Sequence, residues 1–363
     1  MAGGGGTALI ALWGAGMGVM SPFQLGLNSA AARQLGHFLP SSAISYGGGV
    51  LCIAVVNAAL QYTHTPESRH IMRAEPLQRR RPPWWAWLGG CVGCTALVGS
   101  VAIAPLISFT AVATINSAGQ LISSLLVDHF GFLGIQRRRM SFRRVLGALI
   151  VLMGCVGASL ESGGATTATA ATSLARRLSP LVTLGLGLLY MLTRMGQPFQ
   201  ACINARLSTF MPPPSGPLAG LVSFSVGAVV VFAATATFFV QQPAKFRQAV
   251  AAFSQREPTK LKWWMLTGGI PGSMGTCCSV FLTKRLTATL YFNLMTAGGL
   301  AGSMIFDAIG LFGSARRPTT LLRAGSVLVT FLGTIWAADG PETVVMAEKL
   351  GDSSIVRWQR GQQ

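Results

Sequence analysis

Charged side chains are scarce in this chain. They make up 10% of its 363 residues, and the mean hydropathy is +0.52; soluble domains carry roughly 25% charged residues. No charged residue occurs from Met1 to Ala32 or from Pro82 to Val127, and about 20 apolar residues are enough for one transmembrane helix. The composition excludes a water-soluble globule and predicts a multi-pass integral membrane protein that contacts the lipid bilayer.

Acidic residues are scarcer still, with 10 Asp and Glu against 28 Lys and Arg, which gives a net charge of +18. Such an excess can indicate nucleic-acid binding, but here the basic residues cluster in short gaps between apolar runs. That placement is typical of loops that contact anionic headgroups and set membrane orientation. We therefore expect no nucleic-acid partner.

Catalytic and metal-binding motifs are missing. The chain has no HExxH, no GxSxG and no nucleotide-binding P-loop, so we expect neither an enzyme nor a nucleotide-driven pump. Cys91-x-x-Cys94 has metal-ligand spacing but no second Cys/His pair beside it. All seven cysteines lie in apolar segments and are interpreted as small residues at helix contacts. We predict no metal and no cofactor.

What the sequence does contain is an internal repeat. Three motifs occur twice in the same order and at nearly the same offset along the chain. They are Pro22-Phe23-Gln24 with Asn28 and Pro198-Phe199-Gln200 with Asn204; Trp84-Trp85 with Gly89, Gly90, Gly93 and Trp263-Trp264 with Gly268, Gly269, Gly272; and Asp128, Gly131, Gly134, Arg137, Arg138 and Asp307, Gly310, Gly313, Arg316, Arg317. Many transporters consist of two related halves around a central site.

The apolar runs predict an all-α membrane protein with about ten transmembrane helices, arranged as two inverted five-helix repeats. The expected helices cover 8–32, 40–62, 84–103, 106–130, 143–160, 180–203, 216–240, 263–283, 287–312 and 320–338. The expected units are a first repeat at 1–162, a linker at 163–179, a second repeat at 180–338 and a polar C-terminal tail at 339–363.

An odd number of helices per half forces the halves into opposite orientations. In the first half, loops 2–3 and 4–5 hold ten Lys and Arg against one in loop 1–2, which places these two loops and the N-terminus in the cytoplasm. The equivalent loops of the second half hold eight against three and would have to face outward. Either the first half dominates insertion or the helix count is wrong by one.

The first helix of each half contains an interior proline, Pro22 or Pro198, which we expect to break the helix. Around the prolines, polar side chains share one helical face, which for the amides Gln–Asn follows from i, i+4 spacing. They are Gln24 and Asn28 in the first half, and Arg194, Gln197, Gln200 and Asn204 in the second. These six are the candidate substrate-binding residues, and structural hydrogen bonds between helices are the alternative reading.

Arg194 is expected near mid-membrane, where a charge indicates function by default. Three roles stay open: it holds an anionic solute, it pairs with Asp128 or Asp307, or its side chain reaches the interface. Asp128 and Asp307 each follow an uncharged run of about 30 Å, so the sequence places them at the membrane edge. There they act in an interfacial ion pair or helix cap, or alternatively in ion coupling. The tryptophan and glycine motifs are interpreted as anchors and packing sites.

From Trp84-Trp85 and Gly89-Gly90 to Gly134, the first half resembles the YdcZ-type family of bacterial inner-membrane proteins, in the drug/metabolite transporter superfamily. The shared strings include Ala118-Gly119-Gln120-Leu121 and Asp128-His129-Phe130-Gly131, and the Gln24–Asn28 segment matches too. The second half departs at Gly299, Ala308 and Ile309. The resemblance implies two fused five-helix units that export a small solute.

The sequence therefore predicts a secondary transporter, an exporter of a small organic solute, that works by alternating access. Arg194 raises the option of an anionic solute. The alternative is a non-transporting membrane scaffold or assembly factor, in which the polar faces pack against other helices.

Overall fold

The computed structural model describes residues 3–63, 81–103, 109–134, 137–138, 140–160, 180–212, 215–254, 260–313, 316 and 319–337. These residues form helices and no strand. Eleven α-helices occur in the described part: α1 Gly3–Leu35, α2 Phe38–Thr63, α3 Gly89–Ile103, α4 Phe109–Phe130, α5 Phe142–Leu160, α6 Pro180–Ser208, α7 Ser215–Gln241, α8 Pro243–Ser254, α9 Gly269–Arg285, α10 Ala288–Ile309 and α11 Leu321–Ala337.

Six helical stretches of the described chain are long and apolar enough to cross a membrane. They are Leu9–Leu35, Phe38–Tyr62, Trp84–Ile103, Ser215–Gln241, Trp263–Lys284 and Ala288–Ile309, and Leu321–Ala337 is a shorter apolar helix. Helices suit this environment because each satisfies its backbone hydrogen bonds internally where no water is present.

The helices differ from the sequence-based expectation in three ways. Each Trp-Trp motif forms a short 3₁₀ turn, Trp84–Trp87 or Trp263–Gly268, immediately before its α-helix. Pro22 and Pro198 lie inside continuous helices, so the expected breaks are absent from α1 and α6. Helix α8 was not anticipated. The predicted boundary between the helices at 84–103 and 106–130, the 163–179 linker and the 339–363 tail lie outside the described residues.

The two halves of the chain interleave. Helix α1 packs along α10, and its counterpart α6 packs along α4, so the first helix of each half lies on the fourth helix of the other. Helices α3 and α9 likewise pack on α6 and α1, respectively. The pairs α2–α7 and α5–α11 join equivalent helices, and Tyr46 meets Phe224 with ring centroids 5.0 Å apart. The core of the protein is therefore made of contacts between halves.

Copied glycines permit this close packing. A Cβ at Gly90 would overlap the carbonyl oxygen of Ser223 in α7, and a Cβ at its counterpart Gly269 would overlap that of Ser45 in α2. Small residues allow transmembrane helices to approach this closely. The copied Trp/Gly motif thus positions the third helix of each half against the second helix of the other.

The fourth helix of each half ends in the same turn. Gly131 and Gly310 adopt left-handed φ values of +65° and +67°, a conformation that glycine adopts without steric cost. Leu133 and Phe312, two residues later, are also left-handed, with φ of 64° and 60°. Such a backbone is strained for a bulky side chain. Both the sequence motif and its unusual geometry are therefore duplicated.

Candidate functional site

A cavity of about 150 Å³ lies between the two halves. Six helices supply most of its lining: α1, α9 and α10 on one side and α3, α4 and α6 on the other. Tyr46 of α2 and Phe224 of α7 complete the wall. The cavity occurs where the interleaved helices cannot fill the space between them, and both repeats contribute to it.

Four of the six candidate binding residues meet at this cavity. Gln24, Arg194, Gln197 and Gln200 line it, whereas Asn28 and Asn204 are outside the lining. The two asparagines are nevertheless buried, with 1% of their surface exposed in each case. The structure thus separates the two amides of each Gln–Asn pair, because the asparagine lies one helical turn further along.

Each polar face lies against the glycine motif of the opposite half. A Cβ at Gly268 or Gly272 of the second half would overlap the side-chain amide of Asn28 or Gln24. In the same way, a Cβ at Gly89 or Gly93 of the first half would overlap the amide of Asn204 or Gln200. These glycines provide the space that the amides occupy. The Gln–Asn motif of each half therefore contacts the glycine motif of the other half, and this contact occurs twice in the protein.

Arg194 is the one charged residue among the described residues that line the cavity. Its side chain is buried, with 6% exposed, among α3, α4 and α6. Nε donates a hydrogen bond to Asn116 Oδ1, and Nη1 donates to Ser100 Oγ at 3.1 Å and to the Ala96 carbonyl at 3.2 Å. The guanidinium also lies 5.9 Å from the centre of the Tyr190 ring. All these partners are uncharged, so none of them supplies a counter-charge to the guanidinium.

A second polar link joins the same helices. Gln120 Nε2 of α4 donates a hydrogen bond to Gln197 Oε1 of α6 at 3.0 Å. At the equivalent positions of the other half stand Gly299 and Ser21, which also line the cavity. The Gln120–Gln197 and Arg194–Asn116 hydrogen bonds therefore link α4 to α6 on one wall of the cavity.

Asp128 lies away from the cavity, at the junction of α4 with α10. Its carboxylate accepts hydrogen bonds from the backbone N–H groups of Ala288 and Thr289 at 3.1 and 2.9 Å, and from Thr289 Oγ1 at 2.7 Å. Arg144 Nη1 approaches it at 3.9 Å. A carboxylate at the first turn of a helix satisfies donors that have no partner within the helix. Asp128 thus ties the first half to the start of α10.

Asp307 is buried at the corresponding place in the second half. It faces Arg323, whose Nη2 lies 3.9 Å from Asp307 Oδ2. Arg144 and Arg323 are separated by the same offset along the chain as Asp128 and Asp307. The duplicated ion pair therefore extends the third motif, and the arginine found opposite each aspartate is the one inside the following helix.

Several residues of the cavity wall were not among the six candidates. Asn116, Ser117 and Gln120 lie on one side of α4, and Tyr190 precedes Arg194 by one helical turn. Ser100 of α3 lies within 3.1 Å of the Tyr190 hydroxyl. The polar residues of α4 are visible in an otherwise apolar run, and the i, i+4 spacing of Tyr190 and Arg194 is also visible. Ser100 carries no sequence signal beyond its polarity.

The comparisons with known proteins agree with this architecture. The model of the family described as "Putative inner membrane exporter, YdcZ" matches residues 9–157 and again residues 164–336. No curated protein matches the chain. A solved structure described only as a crystal structure of a protein is 15% identical, with a TM-score of 0.53, over 92% of this chain and 97% of that chain; at that identity it supports the fold alone. The chain is a multi-pass membrane protein that belongs to the YdcZ family and carries two units of it in tandem.

Proposed function

We propose that the protein is a secondary transporter that exports a small organic solute by alternating access. The solute binds in the cavity between the two halves, where Gln24, Gln197, Gln200 and Arg194 present polar groups. The observation that carries the proposal is that one central cavity receives equivalent residues, Gln24 and Gln200, from both repeats. Solute sites at the interface of two repeats are typical of secondary transporters. We propose no enzymatic step.

We further propose ten membrane-spanning helices in two inverted sets: α1–α5, and α6, α7, α9, α10 and α11. Contacts at the ends of the helices support the inversion. His37, after the first helix of its half, stacks on Phe238 at the end of the second helix of the other half, with ring centroids 3.9 Å apart. In a parallel arrangement these two sites would lie on opposite faces of the membrane.

A second contact, at the opposite ends of these helices, supports the same arrangement. Ala86, just before α3, packs in one cluster with Leu207 at the end of α6, together with the partly buried Trp85 and Met211. Here the loop after the second helix of the first half meets the loop after the first helix of the second half. The relation is the reverse of the one at His37, which is the pairing that inverted repeats require.

Reconstitution tests the transport proposal. Solutes that accumulate in cells lacking the protein would be loaded into proteoliposomes that contain the purified full chain. We expect at least one to move, and Gln197→Leu to slow its flux more than about tenfold, the size of a 1.4 kcal/mol change in binding. Gln242→Leu, at an exposed position after α7, is the control and should leave the flux unchanged.

The competing scaffold function makes the opposite prediction. If no accumulating solute moves through the reconstituted protein, and thiol reagents cannot reach a cysteine placed in the cavity, the transporter proposal is wrong. Asn28 and Asn204 are less informative targets than the glutamines. Both asparagines lie in tight contacts with glycines, so their replacement would disturb packing under either function.

A further inference from the structure

The two walls of the cavity differ in charge, and this difference indicates which class of solute fits between them. On one wall, Arg194 is held by Asn116, Ser100 and the Ala96 carbonyl. A guanidinium has five N–H donors: Nε uses one, and the two bonds from Nη1 use two more. No described group accepts a hydrogen bond from Nη2, although the residue is buried. Two donors on a buried cation therefore remain for a ligand.

The charge of the lining specifies how many negative charges fit. Arg194 is the one ionised side chain among the described residues that line the cavity. A buried charge without a counter-charge is costly, and a single anion offsets it. A neutral solute would leave the charge uncompensated, and a dianion would leave a negative charge in its place. The lining thus favours a ligand with a single negative charge.

The opposite wall lacks the amide side chains at two of the matching positions. Met295 stands where the first half has Asn116, and Gly299 stands where it has Gln120. Met17 and Met20 of α1 line the cavity beside them. Methionine side chains are flexible and polarizable, which suits them to apolar groups of irregular shape. These methionines give the wall an apolar patch beside its neutral polar groups, which include Gln24 and Thr296, and the wall carries no charged side chain among the described residues.

Packing prevents a second arginine on the opposite wall. Gly18 is the counterpart of Arg194, and a Cβ there would overlap the Met295 carbonyl oxygen. Helix α1 lies so close to α10 at this point that no side chain fits. The asymmetry is therefore part of the way the helices pack, and it orients any ligand in one direction.

We propose that the transported solute is a small organic monoanion, a carboxylate or sulfonate with an apolar body. Its acid group accepts hydrogen bonds from Arg194 Nη2, and its apolar body lies against Met17, Met20 and Met295. This proposal rests on the transport function above and names the class of its substrate. Arginine is the side chain best suited to carboxylate and similar oxyanions, because its donors are fixed in a plane.

Export of a monoanion has an electrical consequence. Asp128 and Asp307 lie outside the cavity lining, and Asp128 is bonded to the start of α10, so the described lining supplies no carboxylate to carry a proton with the solute. Each transport cycle then moves one negative charge. An inside-negative potential of 100 mV drives such a charge outward with about 2.3 kcal/mol, roughly a 50-fold concentration ratio. The membrane potential alone would sustain export.

Binding of matched probes tests the proposal. The full chain in lipid nanodiscs would be melted in the presence of benzenesulfonate, its neutral isostere benzenesulfonamide, the dianion 1,3-benzenedisulfonate and the body-less methanesulfonate, with benzoate as the carboxylate counterpart. We expect benzenesulfonate, benzoate or both to raise the unfolding midpoint with saturation, because a ligand that binds the folded state stabilises it. The sulfonamide, the disulfonate and methanesulfonate should bind more than about tenfold more weakly, a difference of 1.4 kcal/mol.

Variants of Arg194 and of Met295 measure how much each wall of the cavity contributes to ligand preference. Arg194→Gln should abolish the preference for the monoanion over the sulfonamide, while Arg194→Lys should retain part of it. If Arg194→Gln does not fold, Met295→Asn serves instead: it should reduce the preference for benzenesulfonate over methanesulfonate and leave the preference for charge intact. Equal binding of anion and sulfonamide to the wild type, or no stabilisation by either monoanion, would overturn the monoanion class.

Failure of this proposal is distinct from failure of transport. Flux of an uncharged or cationic solute through the cavity would keep the exporter and overturn its anion selectivity. Saturable benzenesulfonate binding that depends on Arg194, in a protein that moves no solute, would keep the anion site and overturn transport. In proteoliposomes that do transport a bound monoanion, an imposed potential of 100 mV should change its accumulation by roughly 50-fold; electroneutral accumulation would contradict the charge movement.

Discussion

Asn28 of the first half and Gly268 of the second half are in such close contact that the glycine could not carry a side chain without overlapping the asparagine amide. Asn204 and Gly89 repeat the contact with the halves exchanged. Since Gln24 and Gln200 each lie one helical turn before the asparagine of their half, these contacts fix the depth at which α1 and α6 present the two glutamines.

Gly268→Ala should therefore destabilise the protein by about 1–3 kcal/mol, the usual cost of forcing an extra carbon into a filled site. Adding Asn28→Ala should recover part of that loss, because it removes the overlapping amide. Thermal unfolding of the single and double variants measures the coupling. Gly16→Ala is the matched control, since nothing lies within 4 Å of its added carbon. A loss in Gly16→Ala as large as in Gly268→Ala would contradict the packing account.

Gln120→Gly copies into the first half the residue that the second half has at position 299. The variant loses the 3.0 Å hydrogen bond to Gln197, and Gln197 then has to find a new partner in the cavity wall. We expect a modest change in stability, near the 0.5–1.5 kcal/mol of a typical hydrogen bond plus the helical cost of glycine. Solute affinity, measured in proteoliposomes, should fall more strongly. Unchanged affinity would show that the Gln120–Gln197 link lies off the pathway.

Asp128→Asn should lower stability because Asp128 holds the first turn of α10 through three hydrogen bonds. A charged acceptor contributes about 1.5–3 kcal/mol per bond at most, and the amide can replace part of it. A double-mutant cycle that combines Asp128→Asn with Thr289→Val measures the coupling free energy between these two side chains. If Asp128→Asn left stability unchanged and instead shifted the pH profile of flux, the carboxylate would be an ion-coupling group rather than a cap.

The surroundings of His37, between α1 and α2, predict that the stability of the protein depends on pH. Burial lowers the pKa of His37, and the charge of Lys245 lowers it further. In addition, its Nδ1 accepts a hydrogen bond from Leu39 N at 3.2 Å. The unfolded chain takes up the proton near the ordinary pKa of about 6.5, before the folded chain does. Stability should thus be constant above that pH and fall as the pH drops below it.

Thermal midpoints of the detergent-solubilised protein between about pH 5 and 8 would measure this slope. His37→Gln should flatten the part of the slope that belongs to His37, and Lys245→Gln should reduce it, because removal of the neighbouring positive charge lets the pKa of His37 rise. A His37→Gln variant with the full wild-type slope would assign the pH dependence to other groups.

The repeat in the sequence predicted much of the architecture and part of the site. The nearly constant offset between the copied motifs identifies which side chains are equivalent. Polarity within an apolar helix selected Gln24, Gln197, Gln200 and Arg194, which line one cavity in the structure, and their role in solute binding stays a prediction. Sequence alone does not show that this face meets the glycines of the other half. That information lies in the interleaving of the halves, which depends on contacts between distant parts of the chain, such as Asp128 with Ala288.

The sequence does not show contacts between distant parts of the chain, and this also explains where the structure differs from the sequence-based expectations. Asn28 and Gln24 share a helical face, but α9 begins opposite Asn28 and leaves no room for a cavity there. The helices α1 and α6 continue through Pro22 and Pro198 and pack against other helices, and transmembrane helices tolerate proline where their neighbours satisfy the freed backbone groups. Helix α8 was missed because its twelve residues are too few and too polar to resemble a span. It covers the end of α1 through Ala249 and Ala252.

The central claim is that a solute reaches the cavity from each face of the membrane in turn. Gln24→Cys places a thiol in the cavity wall, and Thr237→Cys places one on the exposed side of α7 as a lipid-facing control. The measurement is labelling by a membrane-impermeant methanethiosulfonate added to one side or the other of proteoliposomes, after subtraction of wild-type labelling. Alternating access predicts that the thiol of the Gln24→Cys variant reacts from both sides and is protected by a bound solute. If the thiol of the Gln24→Cys variant reacts from each side no faster than the thiol of the Thr237→Cys control, the account is contradicted.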